Sequence, residues 1–431
     1  MPRDRVRFGL LLDRDFRRLF AATTVSQFGY QVSFLALPLV AVETLTVSEF
    51  EVGVLAALTT AAFLLVGLPA GAWVDRMRRR RVLVAGDVGR AVLLVSVPAV
   101  WWAGALTIWH LYAVALLHGI LTVFFDVAYQ SYLPHLVGRA NLVEGNSRLE
   151  SVRALSHVGG PGVAGSLIQV VTAPVALLAE AVALALSALF VVRISKREER
   201  PHLPDTHLVR DIGEGLRFVL GHRLLRSIAA CTGSANLCSA ATGAMLIFFL
   251  RRDLGLEAGV IGLVLSVAGI GGVAGAFLAR PFAAWVGQGP AIWLSVGCSS
   301  PFALLAPLAE PGWRVWLAAA GGGVFAVGVV VYNVTQVSFR QAVTPDRLLG
   351  RMNATMRFLV WGTQPIGAIL GGVLGSVLGA RTTLVIGAVG GSLAFLPVLL
   401  SPLRTMRELP SAPEDAPAGR PRGRFRPLSG R

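Results

Sequence analysis

Lysine is almost missing from this chain: 38 of its 39 basic residues are arginine, and Lys196 is the exception. Charge of either sign is scarce, with Asp, Glu, Lys and Arg at 15% of 431 residues, where soluble domains carry about 25%. That shortage excludes a run of two or three soluble domains, which length alone would allow. Cysteine is limited to Cys231, Cys238 and Cys298, each inside an apolar stretch and without metal-ligand spacing. A disulfide framework is excluded and free thiols are expected. The 48 glycines follow no fixed period, which excludes a collagen-like chain. The sequence has no Walker A loop, no H-E-x-x-H pair and no metal cluster. An enzyme, an ATP-driven pump and any metal or organic cofactor are therefore not expected.

Apolar surface is what the chain has in excess. Residues of the AVILMFWYC set make up 54%, and mean hydropathy is +0.66. They fall into runs of about 20, the length that crosses a bilayer as a helix. Twelve spans are read, at 17–42, 52–74, 82–104, 108–130, 149–171, 173–194, 227–250, 258–280, 289–309, 313–337, 352–378 and 381–402. The basic residues test that count. With the N-terminus inside, 34 fall on the cytoplasmic side and four, Arg251, Arg252, Arg314 and Arg381, on the other, while Arg90 lies within span 3. Such an imbalance over short loops predicts both termini in the cytoplasm. It also accounts for the net charge of +15 without a nucleic-acid partner. Trp101, Trp102, Trp109, Trp313 and Trp316 fall at predicted outer ends, Trp73 and Trp285 at inner ends, as interfacial anchors do. The N-terminus lacks a short apolar region followed by a small-residue cleavage site, so span 1 reads as an uncleaved anchor. Arginine in place of lysine suggests a GC-rich bacterial genome, and the location expected is a bacterial plasma membrane.

The fold expected is an all-α membrane protein: twelve transmembrane helices in two pseudo-symmetric six-helix bundles. The plan is an N-terminal segment 1–16, a bundle 17–194, a linker 195–226, a second bundle 227–402 and a disordered basic tail 403–431. The linker turns amphipathic, with Leu208, Ile212, Leu216, Phe218, Leu220 and Leu224 against Arg210, Glu214, Arg217 and Arg223. That pattern predicts a helix on the inner membrane surface, and the arginines of the tail are placed to meet anionic lipid. The halves repeat at an offset of 207: Asp126-Val127 matches Asn333-Val334, Ser131 matches Ser338, Leu142 matches Leu349 and Asn146 matches Asn353. A parallel six-span repeat is the plan of transporters with a midplane site between two bundles.

After span 2 the chain reads Gly71-Ala72-Trp73-Val74-Asp75-Arg76-Met77-Arg78-Arg79-Arg80-Arg81. This resembles motif A of the major facilitator superfamily, G-x-x-x-D-R-x-G-R-R, with Arg78 where the motif has its second Gly. Gly71 allows close packing, Asp75 can meet a helix N-terminus, and the basic run holds the loop inside; a purely topological run of arginines is the blander alternative. Span 5 carries Gly159-Gly160-Pro161-Gly162-Val163-Ala164-Gly165. It is similar to motif C of the superfamily's antiporters, G-P-x-x-G-G, with Ala164 replacing one Gly. Ordinary small-residue helix packing would look the same. The stretches Val331 to Gln341 and Pro345 to Phe358, Asp87 to Arg90 and Glu214 to Phe218 resemble the enterobactin-exporter and macrolide-efflux branch. The resemblance covers about residues 15–402 and implies a cytoplasmic latch. In it Asp75 with Arg79 or Arg80 meets Asp126 and reaches toward Arg357, and Arg76 belongs to the same motif. It also implies that spans 1, 4, 7 and 10 line the cavity.

Ionisable groups at membrane depth are functional candidates by default. Glu180 lies in the outer half of span 6 and is the first proton-carrying candidate; Asp87 and Arg90, one turn apart on span 3, are a second, with a structural ion pair as the alternative. His118 and His157 are further candidates, because histidine is the residue type that can change charge near neutral pH, with satisfied structural groups as the alternative. Span 1 presents Thr23, Gln27, Tyr30 and Gln31 at helical spacing, and a polar stripe in lipid must face protein or water. Gln27, Tyr30, Gln31, His118, Asn236 and Tyr332 are the cavity candidates. The expectation is a proton-coupled exporter of a small amphiphilic compound such as a drug, antibiotic or siderophore. It would work as a monomer with the small molecule, protons and membrane lipid as partners. An importing facilitator or symporter is the alternative, and a non-transporting membrane sensor a further one.

Overall fold

The computed structural model describes residues 9–138, 141–196, 198, 208–345 and 348–407, with the backbone alone at a few helical positions, Asp75 among them. The chain from 408 onward, residues 199–207, and Arg139, Arg197 and Arg347 lie outside the described residues. The described residues are helical, without strands.

Spans 1 to 6 are the helices Arg14–Leu39, Glu49–Asp75, Arg79–Trp102, Ile108–Val137, Leu142–Val171 and Ala173–Val192. Spans 7 and 8 are Arg223–Phe248 and Ala258–Val286. Span 9 begins as Gln288–Ser299 and tightens to a 3-10 helix over Ser300–Leu308, where Pro301 and Pro307 remove backbone donors. Span 10 is Trp316–Val343, span 11 is Leu349–Trp361 and Thr363–Leu378, broken at Gly362, and span 12 is Ala380–Leu393 continued by Leu396–Leu399. Eleven of these are long and apolar enough to cross a membrane. The twelfth, span 5, is 30 residues long but carries Glu144, Arg148, Glu150 and Arg153 in its first half. Thirty residues rise about 45 Å, beyond the hydrocarbon thickness of about 30 Å, so its polar turns project at the arginine-rich end. Spans 1, 4, 7, 8 and 10 also outrun their apolar stretches at that end, which hydropathy alone does not register.

Capping fixes the other end. Ser48 and Glu51 form a capping box at span 2, with Ser48 N–H donating to Glu51 Oε2 at 2.8 Å. The loops there repeat between the halves. Left-handed residues occur at Thr46 and Gly255, Gly104 and Gly312, and Thr172 and Gly379, in pairs 207 to 209 positions apart. Five-residue π turns, Val40–Thr44 and Phe249–Asp253, close spans 1 and 7 alike.

Within the first half, span 1 packs on 5 and 6, and span 4 on 2 and 3; within the second, span 8 packs on 10 and span 7 on 11 and 12. The halves meet along two seams, span 5 with 8 and span 2 with 11. Both seams are glycine contacts. A Cβ on Gly165 would sit 2.3 Å from the Ala258 carbonyl oxygen, and one on Gly262 2.2 Å from that of Pro161. A Cβ on Gly53 would sit 2.6 Å from Gly372 Cα. Beside them Glu43 pairs with Arg251 at 2.7 Å, and Arg252 donates to the Val47 carbonyl at 2.9 Å. One apolar core at this end joins residues of both halves, such as Leu39, Ala164, Phe248 and Ile261. At the arginine-rich end each half has its own core, around Tyr132 and Phe16 in the first and Phe339 and Met352 in the second.

The linker helix, Leu208–Gly221, is not laid on lipid along its whole apolar face. Val219 is fully buried in the core of the second half, Glu214 pairs with Arg351, and Gly215 lies against Thr355. The tail also begins later than expected. Leu403 is fully buried, and the N–H groups of Gln288 and Gly289 donate to the Arg407 and Met406 carbonyls at 3.1 and 2.8 Å. Residues 403–407 therefore satisfy orphan donors at the start of span 9.

Because the seams are backbone contacts, Gly165→Leu and Gly262→Leu should each destabilise by about 1–3 kcal/mol. The expected readout is a lowered melting temperature in detergent; wild-type melting of both variants would mean that spans 5 and 8 do not approach this closely.

Candidate functional site

Two connected chambers lie between the halves. The larger, of about 770 Å³, is at the arginine-rich end, lined by Gly67, Gln130, Arg340, Asn353 and Arg357 among others. The deeper, of about 530 Å³, is lined by Tyr30, Phe34, Thr59, His118, Ser239 and Ile247 among others. Phe63, Asn236, Trp361 and Gln364 border both. Phe63 of span 2 meets Trp361 of span 11 edge to face, with ring centroids 4.5 Å apart, a favourable aromatic geometry. This pair is the constriction between the chambers.

The break in span 11 places that constriction. Leu349–Trp361 ends at Gly362, and Thr363-Gln364-Pro365 starts a new helix. Pro365 lacks an N–H, so carbonyls of the preceding turn need other donors. Thr363 Oγ1 donates to the Val360 carbonyl at 2.8 Å, and so does Asn236 Nδ2 of span 7 at 3.2 Å. Trp361 thus stands at a held joint rather than in a uniform helix.

Three of the six cavity candidates border a chamber: Tyr30, His118 and Asn236. Gln27 borders neither. Gln31 is buried toward span 5, where its Nε2 lies 3.4 Å from His157 Nδ1 and its side chain covers Gly160. Neighbouring helical residues point about 100° apart, so Tyr30 and Gln31 cannot share one face. Tyr332 is buried inside the second half, its hydroxyl 2.5 Å from Thr232 Oγ1. Spans 1, 4, 7 and 10 contribute to the walls, and so do spans 2 and 11. Phe63 and Trp361 were not singled out by the sequence; a Trp one residue before Gly-Thr-Gln-Pro was the signal for one of them.

Glu180 is fully buried between span 1, where Gly29 makes room for it, and His118 of span 4. Its Oε1 lies 3.8 Å from His118 Nε2; that nitrogen and Glu180 Oε2 have no hydrogen-bond partner. Since His118 borders the deeper chamber, the buried carboxylate is one side chain removed from it. Asp87 is fully buried as well, bonded to Arg90 at 2.5 Å and to Ser187 at 2.7 Å. Arg90 lies 4.4 Å from the Phe125 ring and reaches Thr122. Satisfied on all sides, this group holds spans 3, 4 and 6 together.

The motif A residues lie at the arginine-rich end. The Asp75 side chain lies outside the described residues. Arg80 does not meet Asp126. Its N–H donates to Glu198 at 2.9 Å and its guanidinium to the Val192 carbonyl, so it caps span 6. The charged neighbours of Asp126 are Arg90, Arg153 and Arg357, and among the described residues none is within ion-pair distance of it. Arg357 lines the larger chamber and Asp126 does not. Pro161 and Gly165 of the motif C-like stretch form the span 5–8 seam, and Gly160 receives Gln31.

The sequence profile of the major facilitator superfamily matches residues 19–363. The multidrug efflux pump Tap of Mycolicibacterium fortuitum is 28% identical over 91% of this chain and 96% of its own. The enterobactin exporter EntS of Citrobacter koseri is 25% identical over 93% and 95%. Among solved structures, a nucleoside transporter NupG variant superposes with a TM-score of 0.75 at 12% identity, covering 89% of this chain and 99% of its own. A bacterial homologue of ferroportin in an inward-facing state gives 0.71 at 15%, covering 90% and 98%; these two likenesses are of fold. The chain belongs to the major facilitator superfamily: it is a multi-pass membrane transporter of small molecules and not an enzyme.

Asp87→Asn leaves Arg90 without its counter-charge in the protein interior. Breaking a buried pair in this way costs about 3–5 kcal/mol. Urea or thermal unfolding in detergent should show that loss, and replacing both Asp87 and Arg90 with leucine should cost less than Asp87→Asn alone. Equal stability of Asp87→Asn and wild type would remove the structural role of the pair.

Proposed function

We propose that this superfamily member exports a small amphiphilic compound by alternating access, driven by proton entry. The observation that carries the reading is a cavity between the two halves, open at the arginine-rich end and shut by glycine seams at the other, with the buried Glu180–His118 pair beside it. The arginine-rich end is cytoplasmic by the positive-inside rule, both termini lie on that side, and the plasma membrane is the site of action. The compound then enters from inside. Its loading and the movement of protons bias the two arrangements of the halves.

In the outward-open arrangement the seams part and the arginine-rich ends close. Asp126 then approaches Arg357, and motif A packs against that junction. Glu180 carries the proton. Its carboxyl is fully buried with Oε2 unpartnered, and His118 connects it to the chamber. Each proton entering down a potential of 100 mV supplies about 2.3 kcal/mol. The relatives named for multidrug and enterobactin efflux support the direction of transport.

Purified protein in proteoliposomes with an imposed pH gradient tests this, with siderophores, macrolides and dyes added while internal pH is recorded. Substrate-dependent proton movement is expected. Glu180→Gln should abolish it while leaving exchange of labelled against unlabelled substrate. Proton movement that survives Glu180→Gln removes Glu180 from the role, and substrate flux without protons removes the antiport.

A further inference from the structure

The larger chamber has walls of uneven charge. The first half supplies Phe63, Gly67, Val123, Val127 and Gln130, none of them ionisable. The second half supplies two guanidinium groups, Arg340 on span 10 and Arg357 on span 11, and among the described residues no aspartate or glutamate lines the space. Arg340 Nε is buried without a hydrogen-bond partner. Gln336, one turn earlier on the same helix, is likewise unpartnered at Oε1; its amide can turn to present N–H. Arg357 lies 5.6 Å over the Trp361 ring, and no ion pair holds it among the described residues. Asp126 interacts electrostatically with Arg90, Arg153 and Arg357 together. Arg90 and Arg153 have their own partners in Asp87 and Glu150. Positive charge is in excess at this wall.

Beyond Phe63 and Trp361 the character changes. The deeper chamber is walled by Phe34, Leu37, Leu55, Ala115 and Ile247, and among the described residues no arginine or lysine lines it. We infer that the transported molecule is an amphiphilic anion. Its carboxylate, catecholate or phosphate head sits between Arg340 and Arg357, and its apolar body passes the Phe63–Trp361 constriction into the deeper chamber. A planar guanidinium pair suits oxyanions with two acceptor oxygens, and an unpaired cation at the wall excludes a cationic head by repulsion. This rests on the transport reading for the direction of movement, while the binding preference stands by itself.

The test is equilibrium binding of two matched probes, 1-pyrenebutyrate and trimethyl-4-(1-pyrenyl)butylammonium, to the full chain in zwitterionic nanodiscs. Energy transfer from protein tryptophan is recorded and empty discs are subtracted. The anion should bind at least tenfold tighter than the cation. Arg340→Gln with Arg357→Gln should weaken the anion tenfold or more without weakening the cation, and Arg340→Lys with Arg357→Lys should restore most of it. A cation bound as tightly as the anion by wild type overturns the inference without reference to any variant. So does an unchanged anion affinity in the folded glutamine variant. An anionic phospholipid carries the same chemistry. If lipid is the occupant, phosphatidylglycerol in the disc competes with pyrenebutyrate; a soluble anion is indicated when it does not. Failure of proton coupling in liposomes would leave this preference standing, and loss of the preference would leave proton coupling standing.

Discussion

Backbone meets backbone where Gly165 faces Gly262 and where Gly53 faces Gly372, and the arrangement of the two halves follows from those contacts. In lipid there is no hydrophobic force between helices, so association depends on how closely they approach. Side chains at these positions would hold the helices apart by the width of a methyl group or more. Their absence lets spans 5 and 8, and 2 and 11, close over a shared core around Leu39 and Phe248. That end is shut, and at the other end each half keeps its own core.

Span 11 connects the parts of this arrangement. Its outer piece provides Gly372 for the seam, its joint at Gly362 sets Trp361 across from Phe63, and its inner piece carries Arg357 on the wall and Arg351 against the linker. A displacement of the inner piece about the joint would move constriction, charge and linker together. Asn236 and Thr363, both bonded to the Val360 carbonyl, define where that joint lies. The buried charges divide in the opposite sense. Asp87 and Arg90 are bonded on every side and stiffen the first half, whereas Glu180 and His118 keep unpartnered polar atoms beside the chamber. Unmet hydrogen-bonding capacity inside a protein is expensive, and here it lies next to a cavity.

Much of the fold could be read from residue order. Apolar runs count the spans, the 207-residue repeat announces two equivalent halves, and the Gly-x-x-x-Asp-Arg and Gly-Pro stretches carry the family. The site was less legible. Tyr30, His118 and Asn236 were found because polar groups at membrane depth must face something polar. Gln31 and Tyr332 meet the same criterion and are satisfied instead by His157 and Thr232. A polar residue's partner is a question of helix rotation, which spacing within one helix does not resolve. Arg340 was counted among the basic residues of an inner flank, and Arg357 was read as a latch partner of Asp126 rather than as part of a wall. Their place on one chamber wall emerges once spans 10 and 11 are set side by side.

Composition, charge distribution and internal repetition are sums along the chain, so the sequence by itself determined the membrane class, the helical plan and the superfamily. The chambers are products of residues far apart in that chain. Phe63 and Trp361 are separated by nearly three hundred positions, and neither is marked locally as half of a constriction. Which end is shut, which arginines among the described residues are left without a counter-charge and which carboxylate lies one side chain from the cavity were decided by tertiary structure, because each depends on the distance between helices that the sequence records one after another.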